Sequence, residues 1–436
     1  MKVLTVIYDL QLGGTQRAAV NYSLGYQDHG TEVKVLWIYQ GGPYARVLEA
    51  HGIAICKGGR SLDASLEQLK TWSTDVIHVH RWGDSDPKIA SVLRYLKTDG
   101  ALVLETNVFS RFDDSTDVAL TDIHFHLSQW CLWRWSTRPR KRSVLPLACV
   151  VPYIVGCDSF YRLGLGERSS CRRKWRVAHD AFVFGRIGQP VAGKWSKQLV
   201  PCFERVLSEN PNVYLLLVAP PAEIEAQIGS SDPHLKERTR VVPLTESDQD
   251  LLELYNCMDA FVHDSCIGES FGMVLAEAML TGCPVITRST PRVDNSQIEV
   301  VPHLEGGLVV ADETSMVEAM RRLSREAKFQ ERLGASAAAA VRVRFSPDVI
   351  MPRVLEIIDI LQGTRDPEMR KRALIEKGVD VKVDRARLKS LLGASDGRYA
   401  LKDWMFMRAP RLYQSTQNMK YRVAGRVREV LGGRRE

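Results

Sequence analysis

Ten short apolar runs divide this chain into two similar series, with helical patterns between several of them. The first series comprises residues 2–8, 32–38, 76–80, 102–106 and 123–127; the second comprises 181–187, 213–219, 239–243, 259–263 and 283–287. Continuous hydrophobicity, rather than alternation, marks strands covered on both faces, as in a parallel sheet. Parallel neighbours need crossover connections, and the helical segments supply them, so each series predicts a doubly wound α/β domain. With 436 residues, 45% hydrophobic and 25% charged, the chain has room for two such cores and an appendage. The expected units are 1–172, 173–345, a helix at 346–363 that crosses back onto the first domain, and a basic extension at 364–436.

Sheets of this kind bind ligands beyond the carboxyl ends of their strands, which brings Gly13, Gly14, Arg17, His80 and Asn107 toward one rim. Gly13 and Gly14 do not belong to a G-x-G-x-x-G pattern, so a dinucleotide site is disfavoured. In the second series the stretch 264–282 (DSCIGESFGMVLAEAMLTG) reads as loop, helix and turn, and it leads into a strand. Phe271, Val274, Leu275, Ala278 and Met279 recur at helical spacing, and Gly282 with Pro284 stops the helix. The amides of Ser270, Phe271 and Gly272 are expected at the positive end of the helix dipole without partners, where a phosphate fits. Glu277 falls off the apolar stripe and Glu269 lies eight residues earlier, so both can address one ligand. Taken singly, each has an ordinary reading: a glutamate beside a helix N-terminus is favourable on dipole grounds, and one on a polar face is solvated.

The run GESFGMVLAEAMLTGCPVI resembles the E-x7-E signature of retaining GT-B glycosyltransferases, namely glycosyltransferase family 4 (glycosyl transferases group 1), which build many polysaccharides from nucleotide sugars. The resemblance extends over roughly the first 360 residues and implies two Rossmann-like domains facing a cleft. It implies that Gly14, in GGTQR, faces the donor phosphates and acceptor; that Glu269 contacts the transferred sugar; and that Lys194 pairs with the diphosphate. Glu269 and Lys194 are thereby the expected catalytic pair. By the same resemblance Glu277 holds the ribose, and Ser270, Phe271 and Gly272 present the helix N-terminus. In relatives an arginine stands five residues before the lysine; here Gln189 occupies that place, with Arg186 as the candidate substitute on the donor side. Asn107 falls where many relatives carry a histidine, and His80 joins it on the acceptor side.

The resemblance therefore implies retaining transfer of a hexose from a nucleoside diphosphate sugar to a hydroxyl of a glycan or lipid-linked acceptor. Polysaccharide or glycolipid assembly is the expected setting. It implies no metal and no other cofactor, and a leaving phosphate oxygen would take the acceptor proton. Two alternatives stay open: a nucleotide-sugar epimerase of the same fold, and a catalytically silent sugar-nucleotide-binding or scaffold protein, a reading encouraged by Gln189 and Asn107.

Nine cysteines without a C-x-x-C pair argue for reduced, buried thiols in a cytoplasmic setting. The first residues enter a strand at once, so no signal peptide is expected. Residues 144–157 form too short an apolar run to span a bilayer. Residues 366–436 hold 18 basic and 9 acidic side chains, so the chain's net charge of +7 comes wholly from this tail. A stripe of Met419, Val423, Val427, Val430 and Leu431 flanked by basic residues suits an anionic membrane surface; no nucleic-acid reading motif accompanies it. The tryptophan-rich segment 130–143, with Arg134, Arg138, Arg140, Lys141 and Arg142, is a second candidate for that surface. For both segments the ordinary alternative is packing against the two domains.

Overall fold

A computed structural model describes residues 1–97, 100–137, 146–191 and 193–409. Seven strands form the first sheet: β1 (Lys2–Asp9), β2 (Glu32–Gln40), β3 (Ala54–Lys57), β4 (Val76–Arg81), β5 (Leu102–Asn107), β6 (Ile123–His126) and β7 (Leu147–Val150). Six form the second: β8 (Phe182–Ile187), β9 (Val213–Val218), β10 (Thr239–Val242), β11 (Ala260–His263), β12 (Val285–Arg288) and β13 (Gly307–Val310). The spatial orders are β3-β2-β1-β4-β5-β6-β7 and β10-β9-β8-β11-β12-β13, and every paired neighbour is parallel. β1 and β8 are the reversal points, since the chain builds outward on one side of each and later returns to its other side. Crevices therefore open beyond the carboxyl ends of β1 and β4 in one sheet and of β8 and β11 in the other.

Apolar packing runs without a break from one domain into the other, joining Ile7, Ile154, Phe271, Phe345 and Met351. The helix Pro347–Gly363 returns from the second domain to lie on the helix Gly14–Asp28 of the first. Their approach is close enough that a β-carbon on Gly25 would stand 2.7 Å from Met351 Cγ. Polar contacts fix the same junction. The Glu299 carboxylate accepts from the amides of Gln129 (3.1 Å) and Trp130 (2.7 Å), capping the helix Gln129–Thr137 of the first domain from across the interface. Ser128 and Ser296 hydroxyls meet at 2.6 Å, and Arg134 pairs with Asp294.

The described part of the extension, 364–409, docks on both domains rather than standing clear. Its helix Pro367–Glu376 packs on Pro347–Gly363, and Val150 N donates to Asp380 O at 3.0 Å. Leu388 and Phe406 bury against Trp130, with Trp133 alongside. Farther along, Ala311 N donates to Asp396 O at 2.7 Å, the Tyr399 hydroxyl donates to Ser289 at 2.9 Å, and Arg292 pairs with Asp403 at 2.6 Å. Trp130 and Trp135 are thus core residues, whereas Arg138, Arg140, Lys141, Arg142 and the stripe at 419–431 lie outside the described residues. Eight cysteines are buried and free as the composition suggested; Cys266 is exposed, because it sits in the loop after β11.

Candidate active site

The crevices of the two sheets face one another across a cleft of about 620 Å³, walled by the glycine loop after β1, the loops after β8 and β11, and the start of the helix Met273–Leu280. The loops also touch: Gln189 Nε2 donates to Leu12 O at 3.0 Å, next to Gly13. The position expected to hold a donor cation thus carries an amide spent on the opposite domain. Gly14 opens the helix Gly14–Asp28 and faces Met273, the first residue of the facing helix.

That facing helix starts later than the sequence pattern suggests. Gly272 adopts φ +97°, a left-handed conformation that only glycine takes without strain, and helical geometry begins at Met273. The first-turn amides without an intrahelical partner are consequently those of Met273 and Val274, not Ser270 and Phe271. Ser270 instead gives its carbonyl to Cys131 Sγ at 3.5 Å. Phe271 is buried, its ring against Tyr153 (5.4 Å) and Phe345 (5.1 Å). Both still line the cleft, as anchors of the turn.

Both glutamates line the cleft, with their pKa values shifted in opposite directions. Burial alone would raise the Glu269 pKa, but attraction to the Lys194 ammonium and a hydrogen bond to His263 override it and hold the carboxyl at about 2. His263 Nε2 lies 3.1 Å from Glu269 Oε1, and its Nδ1 lies 3.1 Å from Thr287 Oγ1. Burial lowers the His263 pKa, so a neutral ring donates from Nε2 to the carboxylate and accepts the threonine hydroxyl at Nδ1. A further clamp holds the Glu269 backbone: its amide donates to Gln297 Oε1 at 3.0 Å and its carbonyl accepts from Ser296 N at 2.9 Å.

For Glu277 burial is the largest influence and raises the pKa, opposed by Arg17 and by a 2.8 Å hydrogen bond from the Tyr255 hydroxyl. Arg17 comes from the other domain. Its Nε lies 3.4 Å from Glu277 Oε1, its Nη1 donates to Asp248 at 3.0 Å, and its guanidinium lies over the rings of Tyr44 and Phe160. Sequence reasoning placed Arg17 near the rim but not in the site, because its carboxylate partners lie more than 200 positions away.

Three expected site residues are set otherwise than the sequence suggests. Arg186 lines the floor of the cleft, but its guanidinium is buried, donates to the carbonyls of Lys194 and Val262, and stacks 4.7 Å from the Trp195 ring centroid. It braces the Lys194 loop and adds positive potential beneath Glu269 instead of standing free as a replacement for the missing arginine. His80 lies in the core of the first domain, its ring 4.3 Å from His78 and 5.4 Å from Tyr22; burial lowers its pKa to about 3, so it is neutral. It does not wall the cleft, because β4 carries its ring into the core. Asn107 is buried too, exchanging hydrogen bonds with the Arg111 backbone at 2.9 and 3.1 Å. It shapes the loop whose Val108 and Phe109 do reach the cleft.

Residues 178–326 match the family model described as glycosyl transferases group 1. Over 177 residues the chain is 29% identical to the capsular polysaccharide biosynthesis glycosyltransferase CapM of Staphylococcus aureus, covering 40% of this chain and 45% of that one. Over 182 residues it is 30% identical to the lipopolysaccharide core biosynthesis glycosyltransferase LpsD of Rhizobium meliloti, covering 41% and 50%. The chain thus spans about half the length of the curated relatives it matches. Among solved structures, Anabaena HepE in complex with UDP and glucose superposes with a TM-score of 0.66 at 18% identity, over 82% of this chain and 99% of that one. A glycosyltransferase from Rickettsia africae gives 0.67 at 14% identity, over 84% and 99%. The match to glycosyl transferases group 1 thus covers residues 178–326, within a chain whose two facing sheets form the GT-B fold.

Proposed function

We propose that this chain is a retaining glycosyltransferase that moves a hexose from a nucleoside diphosphate sugar to a hydroxyl of a glycan or lipid-linked acceptor in polysaccharide or lipopolysaccharide assembly. The observation that carries this reading is the convergence of Glu269, Lys194, Glu277 and the amides of Met273 and Val274 on one interdomain cleft. HepE, bound to UDP and glucose, has the same fold, and CapM and LpsD are named for transfer reactions of this class. The reading includes no metal or other cofactor.

Negative charge builds on the diphosphate as the bond to the sugar lengthens, and Lys194 with the two helix amides is placed to meet it. Glu269, held at a pKa of about 2, is ionised near neutral pH and its Oε1 is oriented by His263, so it can hold sugar hydroxyls and favour positive charge developing on the ring. Glu277 suits a ribose diol, but in this structure its oxygens are engaged by Arg17 and Tyr255; nucleotide binding therefore exchanges the Arg17 contact for the ribose. Location at the cytoplasmic face of a membrane is part of the same proposal. It is supported by Leu401, Trp404 and Met405, which the docked helix Leu401–Arg408 leaves exposed ahead of the basic sequence. No described helix is long and apolar enough to cross a membrane.

Titration of the full chain with nucleotide sugars, followed by turnover with and without acceptor, tests the reading. Glu277→Ala and Lys194→Ala should each weaken donor binding or turnover by about 1.5–3 kcal/mol, the value of a charge-assisted hydrogen bond. Unchanged kinetics in both variants would remove the donor site from this cleft.

A further inference from the structure

Four neighbouring strands of the first sheet each end in an aromatic residue. In the spatial order β2, β1, β4, β5 these are Tyr39 and Tyr8, each next to last in its strand, and Trp82 and Phe109, just past theirs. Neighbouring strands lie roughly 4.8 Å apart, and the rings keep that step: centroids are separated by 5.8 Å (Tyr39–Tyr8), 5.0 Å (Tyr8–Trp82) and 6.4 Å (Trp82–Phe109). The result is a continuous aromatic row along the carboxyl rim of the sheet. Its inner end, Trp82 and Phe109, lines the cleft that holds Glu269, Lys194 and Glu277, and its outer end leads away from it.

Tyr8 and Phe109 are partly buried against the cores, but the other two rings are not. Tyr39 is 49% and Trp82 is 48% exposed, although each ring has much apolar area to lose by burial. A patch of exposed aromatic surface on a folded domain marks a binding surface. Its polar neighbours narrow the class of ligand. The Tyr39 hydroxyl donates to Asp86 at 3.1 Å, Lys88 lies 4.7 Å from the Tyr39 centroid, and Arg111 lies 5.1 Å from the Phe109 centroid while pairing with Asp84. Aromatic faces alternating with carboxylates and cations make a poor seat for an acyl chain, which offers no hydroxyls. They suit a hexopyranose, whose axial C–H face meets a ring's negative face while its equatorial hydroxyls reach Asp86 beside Tyr39 and the Lys88 and Arg111 cations held over the rings.

We propose that the row is a set of stacking subsites for an acceptor glycan of several hexopyranose rings, the acceptor hydroxyl entering past Phe109 and Trp82 and the preceding residues lying outward over Tyr8 and Tyr39. This rests on the glycosyltransferase reading and deepens it. The preferred acceptor is an oligosaccharide, bound along its length, and not a single sugar or its lipid anchor.

Two arms test the proposal on the full chain. In the first, saturation-transfer NMR and tryptophan fluorescence follow binding of cellotetraose, maltotetraose, chitotetraose and the monosaccharides glucose and N-acetylglucosamine, with no donor present. At least one tetrasaccharide should bind measurably better than its monosaccharide. Trp82→Ala and Tyr39→Ala should each weaken that binding about tenfold, and Trp82→Phe should restore most of it. In the second, the bound tetrasaccharide serves as acceptor: Tyr39→Ala should raise its KM about tenfold while UDP affinity and donor hydrolysis, which take place beyond the reach of this ring, hold steady. Failure of every tetrasaccharide to bind better than its monosaccharide overturns the proposal. So do alanine variants that bind as the native chain does, or that lose binding to anionic phospholipid vesicles instead. Absence of transfer and hydrolysis with all donors would refute the glycosyltransferase reading, and the binding arm would still decide the row.

Discussion

Replacing Arg17 by methionine, which keeps the apolar stem and removes the charge, should weaken the contact between the domains by an amount that its two carboxylate partners divide unequally. Asp248 is 45% exposed, so its pairing with Arg17 is screened and contributes up to about 1 kcal/mol. Glu277 is 5% exposed, and removing the cation beside a buried carboxylate costs about 3–5 kcal/mol. The 3.4 Å separation and the surviving Tyr255 hydrogen bond place this case at the lower end, about 3 kcal/mol. Double-mutant cycles pairing Arg17→Met with Glu277→Gln and with Asp248→Asn, measured by urea unfolding at neutral pH, should return a large coupling for Glu277 and a small one for Asp248. The pH dependence adds a second readout. Glu277 has a raised pKa in the folded chain, so its contribution is fully present below the unfolded carboxylate pKa and is lost as pH rises through the folded one. Without Arg17, only the Tyr255 hydrogen bond opposes burial and the loss deepens, so the deficit of Arg17→Met should grow as pH rises above the unfolded carboxylate pKa. Equal couplings, or a deficit that does not change with pH, would refute the assignment of Arg17 as the counter-charge of Glu277.

Glu269 behaves in the opposite sense. With its pKa at about 2 against an ordinary 4.5, its stabilisation is present above pH 4.5 and is lost as pH falls toward 2; the unfolding free-energy difference between the native chain and Glu269→Gln should shrink across that window and stay constant above it, and a difference independent of pH would count against the Lys194 and His263 interactions. For the membrane proposal, flotation with anionic and neutral vesicles should show salt-sensitive binding of the native chain that falls when Leu401, Trp404 and Met405 are all changed to serine. Those side chains are exposed, so the variant keeps the docked helix, whereas deleting the extension would also uncover Trp130; equal recovery of native and triple-serine chains on anionic vesicles would defeat the proposal.

Much of the architecture was legible because buried parallel strands announce themselves as apolar runs, and nearly all the expected runs coincide with strands within a residue or two. β3, β7 and β13 have no counterpart among the ten runs: each is four residues long, and β13 begins at Gly307, the second of two adjacent glycines. The stretch 264–282 pointed to the cleft, yet the helix start was misplaced because a left-handed Gly272 is invisible to hydrophobic periodicity. Other gaps share one cause. Arg17 with Glu277, Gln189 with Leu12, and the aromatic row all join residues that the sheet order, not the sequence, makes neighbours. His80 misled for a related reason: a histidine at a strand's end looks the same in sequence whether its ring turns to the cleft or to the core.

The pairing of Asp396 with Val310 bears on how the edge of the second sheet is kept from pairing with other chains. β13 is the outermost strand of the second sheet, and an outermost strand offers unpaired N–H and C=O groups to any other chain with a strand to add. Asp396 occupies that position, its carbonyl taking the Ala311 amide and its amide donating to Val309, yet it brings a carboxylate and forms only a single bridge. The extension therefore acts as a bumper on an otherwise adhesive border, closing it without prolonging the sheet. A chain cut before Asp396 would present that border bare.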